Sequence, residues 1–400
     1  MAFVTPLSFE QARQCVIERV RAARPAPAGE EAPLEAAAGR VLAEEVTADR
    51  DYPPLARSLR DGYALRSGDV PGRLRVIAEV RAGERFQGAV SAGEAVEIMT
   101  GAPVPEGADA VVMLEHVRRE GDYVAVDGAV ERGQWINPQG SETRRGERLL
   151  EAGRRLGFAE IAMAATVGRA RLRVHRQPRV CVLATGDEIV ELPERPLDHQ
   201  VRNSNAYSLA AQVRRAGGLP ELLPPAPDRT EATRALIERG LEADLLLISG
   251  GVSAGKYDVV ERALAELGAE FFFDRVLIQP GQPLVFGRAR GTFFFGLPGN
   301  PVSTMVTFEL FARAALELLG GQSELLLPLL KARLAAPFRH KPGLTRFLPA
   351  RLSADGAELT PIPWQGSSDV AAVIRGNAFL VAEADRESWQ AGELMRVLLR

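Results

Sequence analysis

The sequence predicts a multidomain α/β protein, on three observations. At 400 residues the chain is too long for one ordinary core, and a length prior of roughly two to four domains applies. From residue 179 to about 319, strand-like and helix-like runs alternate, which is the pattern of a doubly wound sheet with parallel strands. On either side, at about 74–126 and after residue 330, the runs are short, β-like and separated by Gly, Pro and Asp turns, so smaller β units flank the sheet.

Taken in order, Ser8 and Gln11 have capping-box spacing, and Phe9, Ala12, Val16, Ile17 and Val20 mark one face of an opening helix. Pro25, Pro27 and Pro33 interrupt it, and a second, alanine-rich helix is expected from Leu34. The runs RVIAEV, AVEIMTG, DAVVMLEHV and DYVAV then build a small β domain. Because LGFAEIAMAATVG reads as helical again, that unit (51–137) is expected as an insertion into a helical domain made of 1–50 and 138–177. The alternating segment, 178–329, runs from VCVLATGDEIV through LLLISGG to FFFGLPG, with helices at NSNAYSLAAQVRRAG, TEATRALIERG, YDVVERALAEL and NPVSTMVTFELFARAALELL. In the last segment, 330–400, Asp355-Gly356 signals a hairpin within a small β-barrel or sandwich.

Hydrophobic residues make up 46% of the chain, and 49 basic against 52 acidic residues leave a net charge of -3. That balance excludes a disordered chain and argues against nucleic acid or an anionic membrane as partner, so any anion must be held locally. Cys15 and Cys181 lie far apart with no CxxC, and His116, His175, His199 and His340 are scattered. Neither a disulfide framework, a zinc site nor a nucleophilic triad is expected. Residues 1–10 lack a basic start ahead of an apolar stretch, and no apolar run reaches the roughly 18 residues of a membrane span. A cytoplasmic protein is expected.

In an open parallel sheet, ligands bind beyond the carboxyl ends of the strands. Three turns should emerge there: Thr185 to Glu188; Ser249, Gly250 and Gly251, continuing to Ser253 in SGGVSAG; and Pro298, Gly299, Asn300 and Pro301. Asn300 at an N-cap and Pro301 at the first helical position would leave free amides facing the crevice. Glycines let backbone approach an oxyanion, and amide nests supply positive potential without charged side chains. A phosphate held by backbone is therefore expected, with Lys256 the one lysine nearby. Glu188 and Asp258, with Asp187 close by, would repel that phosphate unless a hard cation such as Mg²⁺ lay between them.

The motifs SGGVSAGKYD, PGQP, GLPGNPVS, ATGDE and NSN, preceded by DGYAL and MTGAPVPEGADAVV, resemble those of the molybdopterin molybdenumtransferases, the bacterial MoeA and gephyrin E-domain type. The resemblance runs from the first helix to the C-terminus. It implies a homodimer with a helical dimerisation domain, an inserted β domain, a molybdopterin-binding α/β domain and a C-terminal β-barrel. The implied reaction converts adenylated molybdopterin and molybdate to molybdenum cofactor and AMP, with Mg²⁺ as the metal, held by Glu188 and Asp258. Since the dithiolene belongs to the substrate, no catalytic cysteine is needed.

Position by position, Asp61 in DGYA, Thr100 in MTGAP, Glu188 in TGDE and Asp258 in KYD match functional residues of the family, as do Pro298 and Pro301 in GLPGNP and Ser367 in QGSS. In the family, Asp61 and Thr100 would face the pterin site of the partner subunit. Arg346 or Arg351 would supply an anion-binding arginine. Molybdopterin adenylyltransferase and molybdoenzyme chaperones are implied as further partners. This chain departs from the family at Arg148, where an aspartate is usual, at Ser58-Leu59-Arg60 before DGYA, and at Gln279 and Gln282, where lysines of KPGKP stand near molybdate. Those changes bear on molybdate affinity and favour a second reading, a carrier or scaffold without turnover; a third, an adenylyltransferase of molybdopterin, follows from the α/β segment's resemblance to single-domain proteins, and the extra domains argue against it.

Overall fold

Helix Phe9–Ala23 opens on a reciprocal capping box. The N–H of Ser8 donates to Gln11 Oε1 at 2.9 Å, and the N–H of Gln11 donates to Ser8 Oγ at 3.2 Å. The computed structural model describes residues 6–23, 27–251, 259–325 and 327–400. Contacts divide the chain into one unit of Met1–Glu44, Ala152–Gly157 and Leu172–Arg400, and a second of Glu45–Glu151 and Phe158–Arg171.

The larger unit is built on a six-stranded sheet in the order Leu219–Leu222, Arg179–Ala184, Leu245–Ser249, Thr292–Leu297, Pro283–Ala289, Glu270–Arg275. The first four strands are parallel, as the alternating pattern predicts. The last two add to them antiparallel. Arg290 and Gly291, both at positive φ, make the two-residue turn that folds Thr292–Leu297 back onto Pro283–Ala289. Side chains alternate between the faces. Val180, Val182, Leu245, Leu247, Phe293 and Phe295 pack with Val16, Leu209 and Val306, whereas Cys181, Leu183, Leu246, Ile248 and Phe294 pack with Ile237, Ala263 and Leu264. Burial on both faces explains why these strands read as continuous apolar runs.

The second helix expected from Leu34 does not form. Residues Gly29–Pro33 are extended and Leu34–Ala36 make a single 3-10 turn. EAAAG offers too few residues to offset the cost of nucleation.

Strands Thr345–Leu352, Glu358–Pro361, Leu329–Leu334, Leu394–Leu399 and Ala378–Ala382 pair in that order, and the last returns to the first, closing a five-stranded barrel. The hairpin at Asp355-Gly356 joins its first two strands, with Gly356 at φ 73. The two-residue strand Ile278–Gln279 adds in parallel to Thr345–Leu352, with Gln279 opposite Arg346. This pairing ties the α/β segment to the barrel.

The smaller unit holds a second six-stranded sheet, in the order Ala110–Met113, Gly62–Leu65, Glu94–Ile98, Gly72–Val80, Tyr123–Val126, Arg118–Glu120. Tyr63, Leu65, Leu74, Ala95 and Val112 fill one face and Ala64, Val96, Ile98 and Val111 the other. Gly62 is required by close approach, because a Cβ there would collide with the carbonyl of Val112. Helix Phe158–Thr166 belongs to the same unit.

Candidate functional site

Strands Arg179–Ala184, Leu245–Ser249 and Thr292–Leu297 are neighbours in parallel register, so the three turns that follow them meet. The N–H of Thr185 donates to the carbonyl of Ser249 at 3.0 Å, and that of Gly250 to the carbonyl of Leu297 at 3.1 Å. Asn205 fastens two of the turns, since its Nδ2 donates to Ser249 Oγ at 2.8 Å and to the Gly299 carbonyl at 2.7 Å. Asn203, the first residue of NSN, caps helix Ser204–Arg215 by accepting the N–H of Ala206 at 3.3 Å. That cap places Asn205 one residue inside the helix start, facing the turns.

The turns wall a cleft of about 1570 Å³. Of the residues expected at the site, Glu188, Ser249, Gly250, Gly251, Pro298, Gly299, Asn300 and Pro301 line it. Ser253, Lys256 and Asp258 lie outside the described residues. The cleft also includes Asn205, the last residue of NSN, and Arg202, Asp228 and Arg262, which no motif picks out. Arg262 pairs with Glu266 at 3.1 Å across one helical turn, and Arg202 Nε donates to the Glu194 carbonyl at 3.2 Å. Two arginines thus line the cleft, the charge of Arg262 being offset by Glu266.

Glu188 is exposed, and its carboxylate folds over Gly186, where a Cβ would collide with it. Asp187 turns aside, accepting the N–H of Asp228 on Oδ1 at 3.1 Å. No three His, Cys, Asp or Glu side chains gather as a metal site among the described residues.

The helix that starts at Pro301 departs from expectation in one respect. Its first amides are not all free, because the N–H of Val302 donates to the Ser367 carbonyl at 2.9 Å. Asn300 occupies the N-cap position without capping; its Nδ2 donates instead to Ser367 Oγ at 2.9 Å. The segment carrying Ser367 packs on the helix start and takes those groups, and its next residue, Ser368, lines the cleft.

Gln279, Gln282, Arg346 and Arg351 are not among the cleft-lining residues, although Pro283, which follows Gln282, is. The carbonyl of Gln282 accepts the N–H of Val276 at 2.9 Å. Of the two candidate arginines, Arg346 sits opposite Gln279, and its Nε is buried without a hydrogen-bond partner among the described residues. Arg351 donates to the carbonyl of Arg375. The geometry therefore associates Arg346, and not Arg351, with Gln279.

In the smaller unit, Asp61 and Thr100 come together: Asp61 Oδ1 accepts the Thr100 N–H at 2.6 Å and the Thr100 hydroxyl at 2.8 Å. These two bonds, the backbone one first, hold the Asp61 carboxyl below the usual carboxylate range. Arg148 pairs with Glu45 at 3.1 Å and Glu151 at 2.8 Å, all on the surface of that unit. Burial, and then the neighbouring Glu221, push the Cys181 thiol up to about 11, and burial also raises that of Cys15. Neither is a ready nucleophile at neutral pH.

No helix among the described residues is long and apolar enough to cross a membrane. Residues 7–168 match the family described as MoeA N-terminal region (domain I and II), 181–318 the probable molybdopterin binding domain, and 331–399 the MoeA C-terminal region (domain IV). The chain is 31% identical over 376 residues to a molybdopterin molybdenumtransferase of Staphylococcus aureus, covering 92% of this chain and 90% of the relative. It is 38% identical over 299 residues to the enzyme of that name from a Nostoc species, covering 72% and 69%. The crystal structure of the molybdopterin biosynthesis moeA protein from Pyrococcus horikoshii OT3 superposes with a TM-score of 0.84 at 29% identity, over 99% of this chain and 100% of that one. With matches running from the first helix to the barrel, the chain belongs to the MoeA family of molybdopterin molybdenumtransferases and is a transferase of molybdenum cofactor biosynthesis.

Proposed function

We propose that the protein transfers molybdenum from molybdate to adenylated molybdopterin, with release of AMP. The observation that carries this reading is the meeting of three glycine-bearing turns at one cleft, fastened by Asn205, with Glu188 on its rim. Amides of the Ser249–Gly251 turn, together with Arg202 and Arg262, suit the phosphates of an adenylated phosphoester. Acidic side chains beside a phosphate cradle suit Mg²⁺, which binds through one or two carboxylates and substrate phosphates while keeping several waters. Glu188 would supply one carboxylate and Asp258, on the family pattern, the other; the ion would offset the charge that develops as the leaving AMP separates. Glu188 fixes that position, the amides orient the phosphates, and Asn205 keeps the two turns at one spacing.

The same reading takes the protein as a cytoplasmic homodimer that receives its substrate from molybdopterin adenylyltransferase and delivers its product to molybdoenzyme chaperones. Helix Phe158–Thr166 supports the dimer, because Phe158 is 92% exposed and the exposed Ala162 and Ala165 continue its side of the helix, an apolar face suited to a second copy. Asp61 and Thr100 would complete the partner subunit's site. The deciding experiment incubates purified protein with adenylated molybdopterin, Mg²⁺ and molybdate and measures AMP. Molybdate-dependent AMP release is expected; bound molybdopterin with no AMP above a protein-free control would replace the enzyme with a carrier.

A further inference from the structure

Thr185 directly follows strand Arg179–Ala184 and is 6% exposed. Its N–H donates to the Ser249 carbonyl, and the residues on either side of it, Ala184 and Gly186, make the bonds of a bridge to Ala226. Its Oγ1 is buried with no hydrogen-bond partner among the described residues. Other buried threonines of this unit are satisfied: Thr233 Oγ1 donates to the Pro227 carbonyl at 2.6 Å, Thr304 Oγ1 to that of Pro298 at 2.6 Å, and Thr307 Oγ1 to that of Ser303 at 2.8 Å. A hydroxyl retained for the fold would be bonded likewise, since an unpaired buried donor is destabilising.

The space beside the hydroxyl is kept clear by two glycines. Gly250 and Gly251 have φ of 94° and 65°, and a Cβ on them would stand 3.1 and 2.8 Å from Thr185 Oγ1. Thr185 lines the same cleft as Asn205, whose Oδ1 is also buried and unpartnered while its Nδ2 holds the two turns. We propose that the Thr185 hydroxyl is a substrate-binding donor that hydrogen-bonds a phosphate oxygen seated on the Gly250–Gly251 turn. The proposal rests on the phosphoester reading of the cleft. The phosphate is either that of the pterin or that of the adenylyl group, which share this chemistry.

The test uses full-length Thr185→Val and Thr185→Ser. Valine keeps the shape and deletes only the hydroxyl, so the ligand-free protein should melt at or above the wild-type temperature, whereas a bond lost from the fold would lower it. Affinities for AMP and for molybdopterin are then measured separately. A hydrogen bond to a charged phosphate predicts a loss of about tenfold to a hundredfold for at least one of them in Thr185→Val, with Thr185→Ser restoring most of it. Loss confined to AMP places the adenylyl phosphate there, and loss confined to molybdopterin places the pterin phosphate there. Unchanged affinity for both in folded Thr185→Val, or a lowered melting temperature without ligand, overturns the proposal. Wild-type protein that binds molybdopterin but releases no AMP would reject the transfer reaction and leave the hydroxyl's role in binding standing.

Discussion

Asn300 and Ser367, 67 residues apart, are joined side chain to side chain, Asn300 Nδ2 donating to Ser367 Oγ at 2.9 Å. The Ser367 carbonyl also accepts the N–H of Val302. The helix start beside the cleft is thus held from the C-terminal segment, in place of the self-capping its sequence suggests. Asn300→Ala and Ser367→Ala should each lower stability by about 0.5–1.5 kcal/mol. The double variant should cost less than the sum, with a coupling of about 0.5–1 kcal/mol in urea unfolding. Additive effects would show that the bond is not made in solution.

Asp61 gains from ionisation, since its Oδ1 accepts two donors of Thr100. Its depressed carboxyl therefore contributes stability that is present above the ordinary carboxylate range and is lost as pH falls through its folded value. Thr100→Val deletes the hydroxyl and keeps the backbone N–H, so it should raise the Asp61 titration part of the way back, as read by carboxyl NMR. An unmoved titration would mean that the amide alone sets it. AMP release should fall in both Asp61→Ala and Thr100→Val.

What could be read beforehand follows from the range of the interactions. The Ser8–Gln11 box and the strand-to-helix alternation are local patterns, and a period or a spacing of three residues reveals them. The motif GLPGNP marked Asn300, but its bond to Ser367 depends on a contact that sequence spacing does not encode. Arg290-Gly291 gives no clear hairpin signal, because the usual Asn-Gly or Asp-Gly pair is absent and the strands on either side, PLVFGRA and TFFFGL, show no polar–apolar alternation. Thr185 falls in a turn whose sequence suggests phosphate binding, yet its distinction is an oxygen unpaired among the described residues, which depends on the packing around it and not on spacing. The alanine run after Leu34 had helix-forming composition and lacked the length.

Phe158 tests the dimer. At 92% exposure it contributes little to its own unit, so Phe158→Asp should leave the melting temperature of the isolated subunit nearly unchanged. Placing a charge on an apolar interface should shift the protein to monomer at micromolar concentration, measured by light scattering, and lower AMP release with it. A variant that remains dimeric would remove this helix face from the interface.

The last prediction concerns the charge that Gln279 and Gln282 do not provide. Arg346 faces Gln279 in register, its Nε has no partner, and no carboxylate among the described residues forms an ion pair with it. Molybdate is a dianion, and a guanidinium about 5 Å away at an effective dielectric of about 20 attracts each negative charge by roughly 3 kcal/mol before desolvation is subtracted. Arg346→Gln should therefore raise the molybdate concentration for half-maximal AMP release by about tenfold or more. Arg351→Gln should have little effect, because that side chain is engaged with the Arg375 carbonyl. Gln282→Lys should lower the requirement, with a benefit that shrinks as salt rises. Gln279→Lys should help less in the native background, where it would face Arg346, than in Arg346→Gln, where it replaces the missing charge. If Arg351→Gln weakens molybdate use and Arg346→Gln does not, the charge comes from the other end of the strand and the pairing of Gln279 with Arg346 serves only to join the barrel to the sheet.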